Sequence, residues 1–379
     1  MNEKNTGKTI AILSVSAGAG HMRAAESVKA AADKYFPGTQ AVHIDLMTLV
    51  NDIFRKMYAE SYLSIVEKHP SLWGYLYRKS DRQDHDSAMN KVRRAIQRLN
   101  TGNVMTKLRE IAPDIVVCTH FLPAELLSRE IRQGGWDKPT FVQVTDFDIH
   151  TMWLHEGMTG YFAATEEVAF KLADRGIPRE TIRATGIPIM PVFAETRDRA
   201  ACAAEIGADP KKTTFLMMSG GFGVGGIDGL AERLLAIPGE FQIIALAGKN
   251  EQLLVSLRSL AAKHPGRLFP MGFTRTIERV MACADLAITK PGGLTTSECL
   301  AVGLPMLVVS AIPGQEERNA DFLLENGAAM KAYDPAALEF RIRAILANPG
   351  RLASMRDQAK RLARPHAARD LLAAILEQR

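Results

Sequence analysis

Thr9-Ile-Ala-Ile-Leu-Ser-Val15 runs directly into Ser16-Ala-Gly-Ala-Gly-His21, and this junction decides the fold. A continuous apolar run of that length marks a strand buried on both faces of a parallel sheet. Beyond the turn, Ala24, Ala25, Val28 and Ala31 recur at helical spacing. Strand, small-residue turn and helix make the first part of a βαβ unit. Small residues let the backbone approach a ligand closely, and a helix start favours negative charge. A tight βα turn with no ligand uses the same residues, so both readings stand at this point. His21 adds an imidazole at the mouth of the sheet, where α/β proteins bind ligands.

The same alternation extends outward. Ala41-Val-His-Ile-Asp-Leu46, Ile115-Val-Val-Cys118 and Thr140-Phe-Val-Gln-Val144 read as further strands, with helical patterns between them. It restarts after Pro191 with Thr214-Phe-Leu-Met-Met218, Gln242-Ile-Ile-Ala-Leu-Ala247, Leu286-Ala-Ile-Thr289 and Pro305-Met-Leu-Val-Val309. A chain of 379 residues fits two domains better than one core. Gly186-Ile-Pro-Ile-Met-Pro-Val192 has the prolines of a linker. The expected division is 1–190, 191–365, and a final helix over 366–379. That helix carries Leu371, Leu372, Ile375 and Leu376 on one face and is expected to pack back on the first domain.

Composition narrows the function classes. Hydrophobic content of 47% and charged content of 23% are those of a globular protein. No apolar run approaches the roughly 20 residues of a membrane span. The polar start over residues 1–8 does not read as a signal peptide. Cys118, Cys202, Cys283 and Cys299 form no C-x-x-C pair, as expected of buried free thiols in a reducing cytosol. The net charge of +5 is concentrated: residues 51–110 hold 12 Lys and Arg against 7 Asp and Glu, an excess as large as that of the whole chain. Within the atypical segment 49–108, Trp73, Tyr75 and Tyr77 stand beside Arg78, Lys79 and Arg82. Aromatic rings next to cations suit the headgroup boundary of an anionic membrane. A helical insertion whose aromatics are core is the other reading. No nucleic-acid recognition module accompanies the charge.

Four motifs carry chemistry. Ser219-Gly-Gly-Phe-Gly-Val-Gly-Gly226 repeats the glycine turn in the second half, with Gly220 and Gly221 at its start; no G-K-[ST] follows, so it is not a P-loop. Lys290-Pro-Gly-Gly-Leu-Thr-Thr-Ser-Glu298 follows a strand and opens a helix. Amides around Gly293, Leu294, Thr295 and Thr296 suit a pyrophosphate, and Glu298 suits two ribose hydroxyls; a capped helix start has the same sequence. Pro313-Gly-Gln-Glu-Glu-Arg-Asn319 offers Gln315 and Glu316 to a sugar, or is a solvated loop. Asp146-Phe-Asp148 has the D-x-D form of a metal-bound sugar-nucleotide site. Helix ends already neutralise phosphates, so no metal is expected, and Asp146 is kept as a site candidate. His150, Trp153 and His155 follow it, without a clear fourth ligand for zinc.

Taken in order, Thr145-Asp-Phe-Asp-Ile-His-Thr-Met-Trp153, Gly186-Ile-Pro-Ile189 and the segments 290–298 and 313–319 resemble the diacylglycerol glycosyltransferase family. Its members include monogalactosyldiacylglycerol synthases and processive diacylglycerol glucosyltransferases, and it is related to the N-acetylglucosaminyltransferase that makes lipid II. The likeness covers roughly residues 9–329. It implies a GT-B fold, two Rossmann-like domains facing each other across a cleft, and an inverting transfer of glucose or galactose from a UDP-sugar to diacylglycerol. It implies no cofactor. It places Phe273 against uracil, Gly293 to Thr296 on the diphosphate, Glu298 on the ribose, and Gln315 and Glu316 on the hexose. His21 stands at the acceptor side as first choice of base, with Asp146 second. His150 and Trp153 join Trp73, Tyr75, Tyr77, Arg78, Lys79 and Arg82 on the acceptor and membrane side. The partners implied are diacylglycerol and anionic lipid, at the cytoplasmic face of a membrane, with no nucleic acid. Met190 departs from the family, where arginine is frequent. A lipid II-type transferase, a UDP-sugar epimerase and a non-catalytic UDP-sugar sensor are the alternatives.

Overall fold

The opening strand forms as β1 (Thr9–Ser14), and its apolar side chains are fully buried, as its sequence requires. It begins a computed structural model that describes residues 7–16, 18–50, 101–218 and 226–377. The chain divides into two units. The first comprises Met1–Pro191, Ile312–Gln315 and His366–Arg379; the second comprises Val192–Ala311 and Glu316–Pro365.

In the first unit the chain continues through α1 (Ala19–Tyr35), β2 (Gln40–Asp45), α2 (Thr101–Ile111), β3 (Ile115–Cys118), α3 (Phe121–Arg132), β4 (Thr140–Gln143), β5 (Gly160–Phe162), α4 (Glu166–Asp174) and β6 (Ile182–Arg183). Among the described residues the strands form one parallel sheet in the order β2-β1-β3-β4-β5-β6. The order reverses direction between β1 and β3. In open α/β sheets ligands bind at such a switch, beyond the carboxyl ends of the strands.

The second unit holds α5 (Arg199–Ile206), β7 (Thr213–Met218), α6 (Ile227–Leu235), β8 (Phe241–Leu246), α7 (Glu251–Lys263), β9 (Leu268–Met271), α8 (Ile277–Cys283), β10 (Leu286–Thr289), α9 (Gly293–Ala301), β11 (Met306–Val308), α10 (Gln315–Glu325, whose first residue falls in the first unit), β12 (Ala329–Lys331), α11 (Pro335–Ala347) and α12 (Gly350–Leu362). Its described strands are again all parallel, in the order β12-β11-β10-β7-β8-β9, with the switch between β7 and β10. Phe215, Phe241, Ile243 and Leu257 lie at the centre of its core.

The last helix, α13 (Ala367–Leu376), belongs to the first unit. Its Leu371, Leu372 and Ile375 join Val28, Ala31 and Ala32 of α1 and Ile10 and Ile12 of β1 in one buried cluster. All four cysteines are buried free thiols, as their apolar settings predict. No helix among the described residues is long and apolar enough to cross a membrane.

Candidate active site

The first-unit site is built at the carboxyl ends of three neighbouring strands, β1, β3 and β4. After β1, the Ser16 amide donates to Asp45 Oδ1 at the end of β2, 3.0 Å away, tying down the turn. Gly18 takes φ +139°, a conformation that L side chains rarely adopt, and so lets α1 begin at once. His21 therefore lies in the first turn of α1. After β3, Thr119 Oγ1 donates to the His21 carbonyl at 3.0 Å and to the Leu13 carbonyl at 3.3 Å, binding the two strand ends together.

The His21 ring is held through Nδ1, 3.0 Å from the Thr119 carbonyl oxygen and 3.0 Å from Thr145 Oγ1. A carbonyl can only accept, so Nδ1 carries the hydrogen and Nε2 keeps the lone pair. Burial pushes the imidazole pKa down to about 4, against the Thr119 hydrogen bond, which raises it. The cationic form is also disfavoured at a helix N-terminus. The His21 imidazole is thus neutral at pH 7, with its lone pair on Nε2.

Around it stands an aromatic cluster. The His120 ring meets it nearly edge-on, centroids 4.4 Å apart. Trp153 lies 6.2 Å from His21 and 6.0 Å from Phe121. His120 caps α3: its Nδ1 accepts from the Leu122 amide at 3.0 Å. Burial, with His21 beside it, holds its pKa well below the usual histidine value.

Asp146, beyond β4, is buried, and within the first unit its Oδ1 accepts from Gln315 Nε2 at 2.8 Å. Gln315, assigned to the hexose by the sequence resemblance, thus gives one amide hydrogen to a carboxylate. Asp148 is bound by Lys171 Nζ at 3.1 Å and by the Ile149 amide at 2.8 Å. His150 is buried, and its Nδ1 accepts from the Met152 amide at 3.1 Å, capping the short turn that carries Trp153. His155 lies 3.1 Å from Glu125 Oε2. Among the described residues no three His, Cys, Asp or Glu side chains are grouped to hold a metal ion.

In the second unit, α9 starts at the carboxyl end of β10, next to the switch. Gly293, Leu294 and Thr296 are buried in its first turns, with Thr295 half-buried beside them. Thr296 Oγ1 is a buried hydroxyl with no hydrogen-bond partner among the described residues. Glu298 is buried two residues on. Glu316, at the start of α10, brings Oε1 to 3.9 Å from the position a Gly292 Cβ would occupy. Phe273, after β9, exposes 57% of its surface, with Lys249 Nζ 5.4 Å from its ring centroid. An exposed ring of this kind can stack on a base. Gly220 and Gly221 lie outside the described residues, as do Trp73, Tyr75, Tyr77, Arg78, Lys79 and Arg82.

Sequence reasoning missed His120, Thr119 and the role of Asp45. The signal was available: Thr119 and His120 follow an apolar strand, as Asp146 does, and strand ends at the switch are where a ligand is met.

Two parallel-sheet domains, the first with Gly18 opening the helix after β1 and the second with Gly292 and Gly293 opening the helix after β10, define the class, a GT-B-type α/β protein. The fold matches Acinetobacter baumannii MurG with a TM-score of 0.64 at 17% identity, covering 98% of this chain and 100% of that one. It also matches the UDP-GlcNAc 2-epimerase of Neisseria meningitidis, with a TM-score of 0.61 at 12% identity, covering 98% and 100%. Residues 21–189 match the monogalactosyldiacylglycerol (MGDG) synthase model and residues 228–371 the glycosyltransferase family 28 C-terminal domain. A protein of Bacillus pumilus, "Processive diacylglycerol beta-glucosyltransferase", is 31% identical over 99% of this chain and 96% of its own length. The chain belongs to the diacylglycerol glycosyltransferase family.

Proposed function

We propose that this protein transfers glucose from UDP-glucose to the sn-3 hydroxyl of diacylglycerol, with inversion, to give a β-glucosyl diacylglycerol. The observation that carries this reading is the likeness over 99% of the chain to a protein named for that activity. The geometry of His21 supports it, because a neutral imidazole with Nε2 unprotonated is what the acceptor hydroxyl needs.

In the reaction the acceptor oxygen attacks the anomeric carbon and its proton passes to His21 Nε2. The bond from that carbon to the diphosphate oxygen breaks, and UDP leaves with the electron pair. The α9 amides and the Thr295 and Thr296 hydroxyls meet the diphosphate, whose growing charge a helix N-terminus stabilises. Glu298 takes the ribose, Phe273 stacks on uracil, and Glu316 binds the hexose. Helix amides neutralise the phosphates in this scheme, so no resident metal is assigned. Asp146, fastened by Gln315, is the second candidate for the base or for a group that orients it. The protein docks on the cytoplasmic face of an anionic membrane through residues 49–108, without crossing it.

Purified protein is given vesicles of diacylglycerol or of a polyprenyl-linked acceptor and, separately, UDP-glucose, UDP-galactose and UDP-N-acetylglucosamine, and the lipids and nucleotide sugars are analysed by mass spectrometry. The reading requires hexosyl diacylglycerol from UDP-glucose. Transfer only from UDP-N-acetylglucosamine, or only to a polyprenyl-linked acceptor, indicates a lipid II-type enzyme. Epimerised UDP-sugar indicates an epimerase, and binding without turnover a sensor.

A further inference from the structure

His21 and His120 form a pair in which the two rings carry their hydrogens on opposite nitrogens. His21 is protonated on Nδ1, which faces the Thr119 carbonyl at 3.0 Å. His120 has its lone pair on Nδ1, which accepts the Leu122 amide at 3.0 Å, so its hydrogen is on Nε2. To take up a second proton, His120 would have to give up the cap of α3. It is 3% exposed and sits beside its partner at 4.4 Å, nearly perpendicular at 77°. The His120 backbone, extended at φ −143° and ψ 152°, lies between β3 and α3, one residue after the strand and immediately before the helix.

We propose that His120 is a positioning residue for His21: its ring, fixed by the α3 cap, holds the His21 imidazole in the one orientation that keeps Nδ1 on the Thr119 carbonyl, and so leaves Nε2 as the nitrogen that accepts the proton. The kinetic part of this assignment rests on the glycosyl transfer proposed above; the tautomer part does not. Thr119 supplies the carbonyl and Thr145 the hydroxyl that meet Nδ1, and His120 prevents the ring from turning away from them. Because His120 has no nitrogen ready to accept a proton, one taken by His21 leaves by a route other than His120.

The test uses the full-length chain with ¹⁵N-labelled histidine. In the wild type at pH 7, the His21 resonances show Nδ1 protonated and Nε2 bare. In His120→Asn, whose Oδ1 keeps the α3 cap, the His21 nitrogens shift toward tautomer-averaged values. Turnover falls about 10- to 100-fold with KM for UDP-glucose unchanged, as for a misplaced catalytic group. In a His21→Ala background the same substitution costs nothing further, since coupled residues are not additive. Unaltered His21 nitrogen shifts in His120→Asn overturn the proposal, as does an equal loss of turnover with and without His21. If His120→Asn does not fold, His120→Gln is measured by the same spectrum. Absence of any transfer by the wild type overturns the proposed function alone, because the nitrogen spectrum still reads the pair.

Discussion

The imidazole of His21 donates from Nδ1 to the backbone carbonyl of Thr119, 3.0 Å away, so the tautomer of the candidate base is set by the end of a neighbouring β-strand. A carboxylate in that place would raise basicity strongly; a carbonyl orients the ring with less charge. The result is a base whose pKa lies at about 4, below that of an ordinary histidine.

The acid limb of the pH–rate profile follows from this. If His21 is the base, it acts when neutral, so activity is present above its pKa and lost as pH falls through it. The limb of kcat/KM should fall near pH 4, the free-protein value, and not near 6.5. Replacing His21 with Ala should lower kcat by roughly 10²–10⁴-fold and leave UDP affinity nearly intact. Steady-state kinetics across pH checks both; near-wild-type turnover in His21→Ala would move the base to another group.

Glu298 lies buried behind the first turn of α9. If it binds the ribose hydroxyls, Glu298→Gln loses charge-assisted hydrogen bonds of about 1.5–3 kcal/mol, raising KM for the donor by a factor of tens. Donor titration at fixed diacylglycerol measures this. An unchanged KM removes Glu298 from the ribose site.

Leu372 of α13 is fully buried against α1 and β1. Leu372→Ala leaves a cavity and should cost about 2–5 kcal/mol. Urea unfolding reads the change in midpoint. A shift too small to measure would mean that α13 contributes little to holding the first unit together.

How far the sequence reached depended on the length of each element. Long apolar strands such as Thr9–Ser14 and Phe241–Leu246 announce themselves, because burial on both faces leaves few polar positions, Gln242 being one of them. Gly160–Phe162, Ile182–Arg183 and Ala329–Lys331 are two or three residues long, too short for any period to register. Leu268–Met271 is half-buried and contains Pro270, which an edge strand tolerates and a central one does not. The site divides in the same way. His21 and Glu298 sit in glycine-flanked motifs that a reader meets as units. The His21–His120 and Asp146–Gln315 pairs join residues far apart in the chain, and only the folded backbone brings them together.

Residues 49–108 supply a prediction from sequence alone. Each Lys or Arg near an anionic surface is worth about 1 kcal/mol. Charge reversal at Arg78, Lys79 and Arg82 should weaken pelleting with anionic vesicles and reduce activity on them. High salt should weaken wild-type binding as well, because the Debye length falls to about 3 Å at 1 M. Activity on short-chain, detergent-dispersed diacylglycerol should suffer much less. Undiminished pelleting of the triple variant would assign the docking surface elsewhere.

The central claim is inverting transfer from UDP-glucose to diacylglycerol. The most direct measurement is the proton NMR spectrum of the lipid formed from UDP-[¹³C]glucose and diacylglycerol vesicles. One anomeric signal reports transfer, acceptor and stereochemistry together. The account predicts a ¹³C-labelled glucosyl diacylglycerol with the large diaxial coupling of a β-anomer. An α-anomer would contradict it, as would UDP-glucose consumed with no labelled lipid formed.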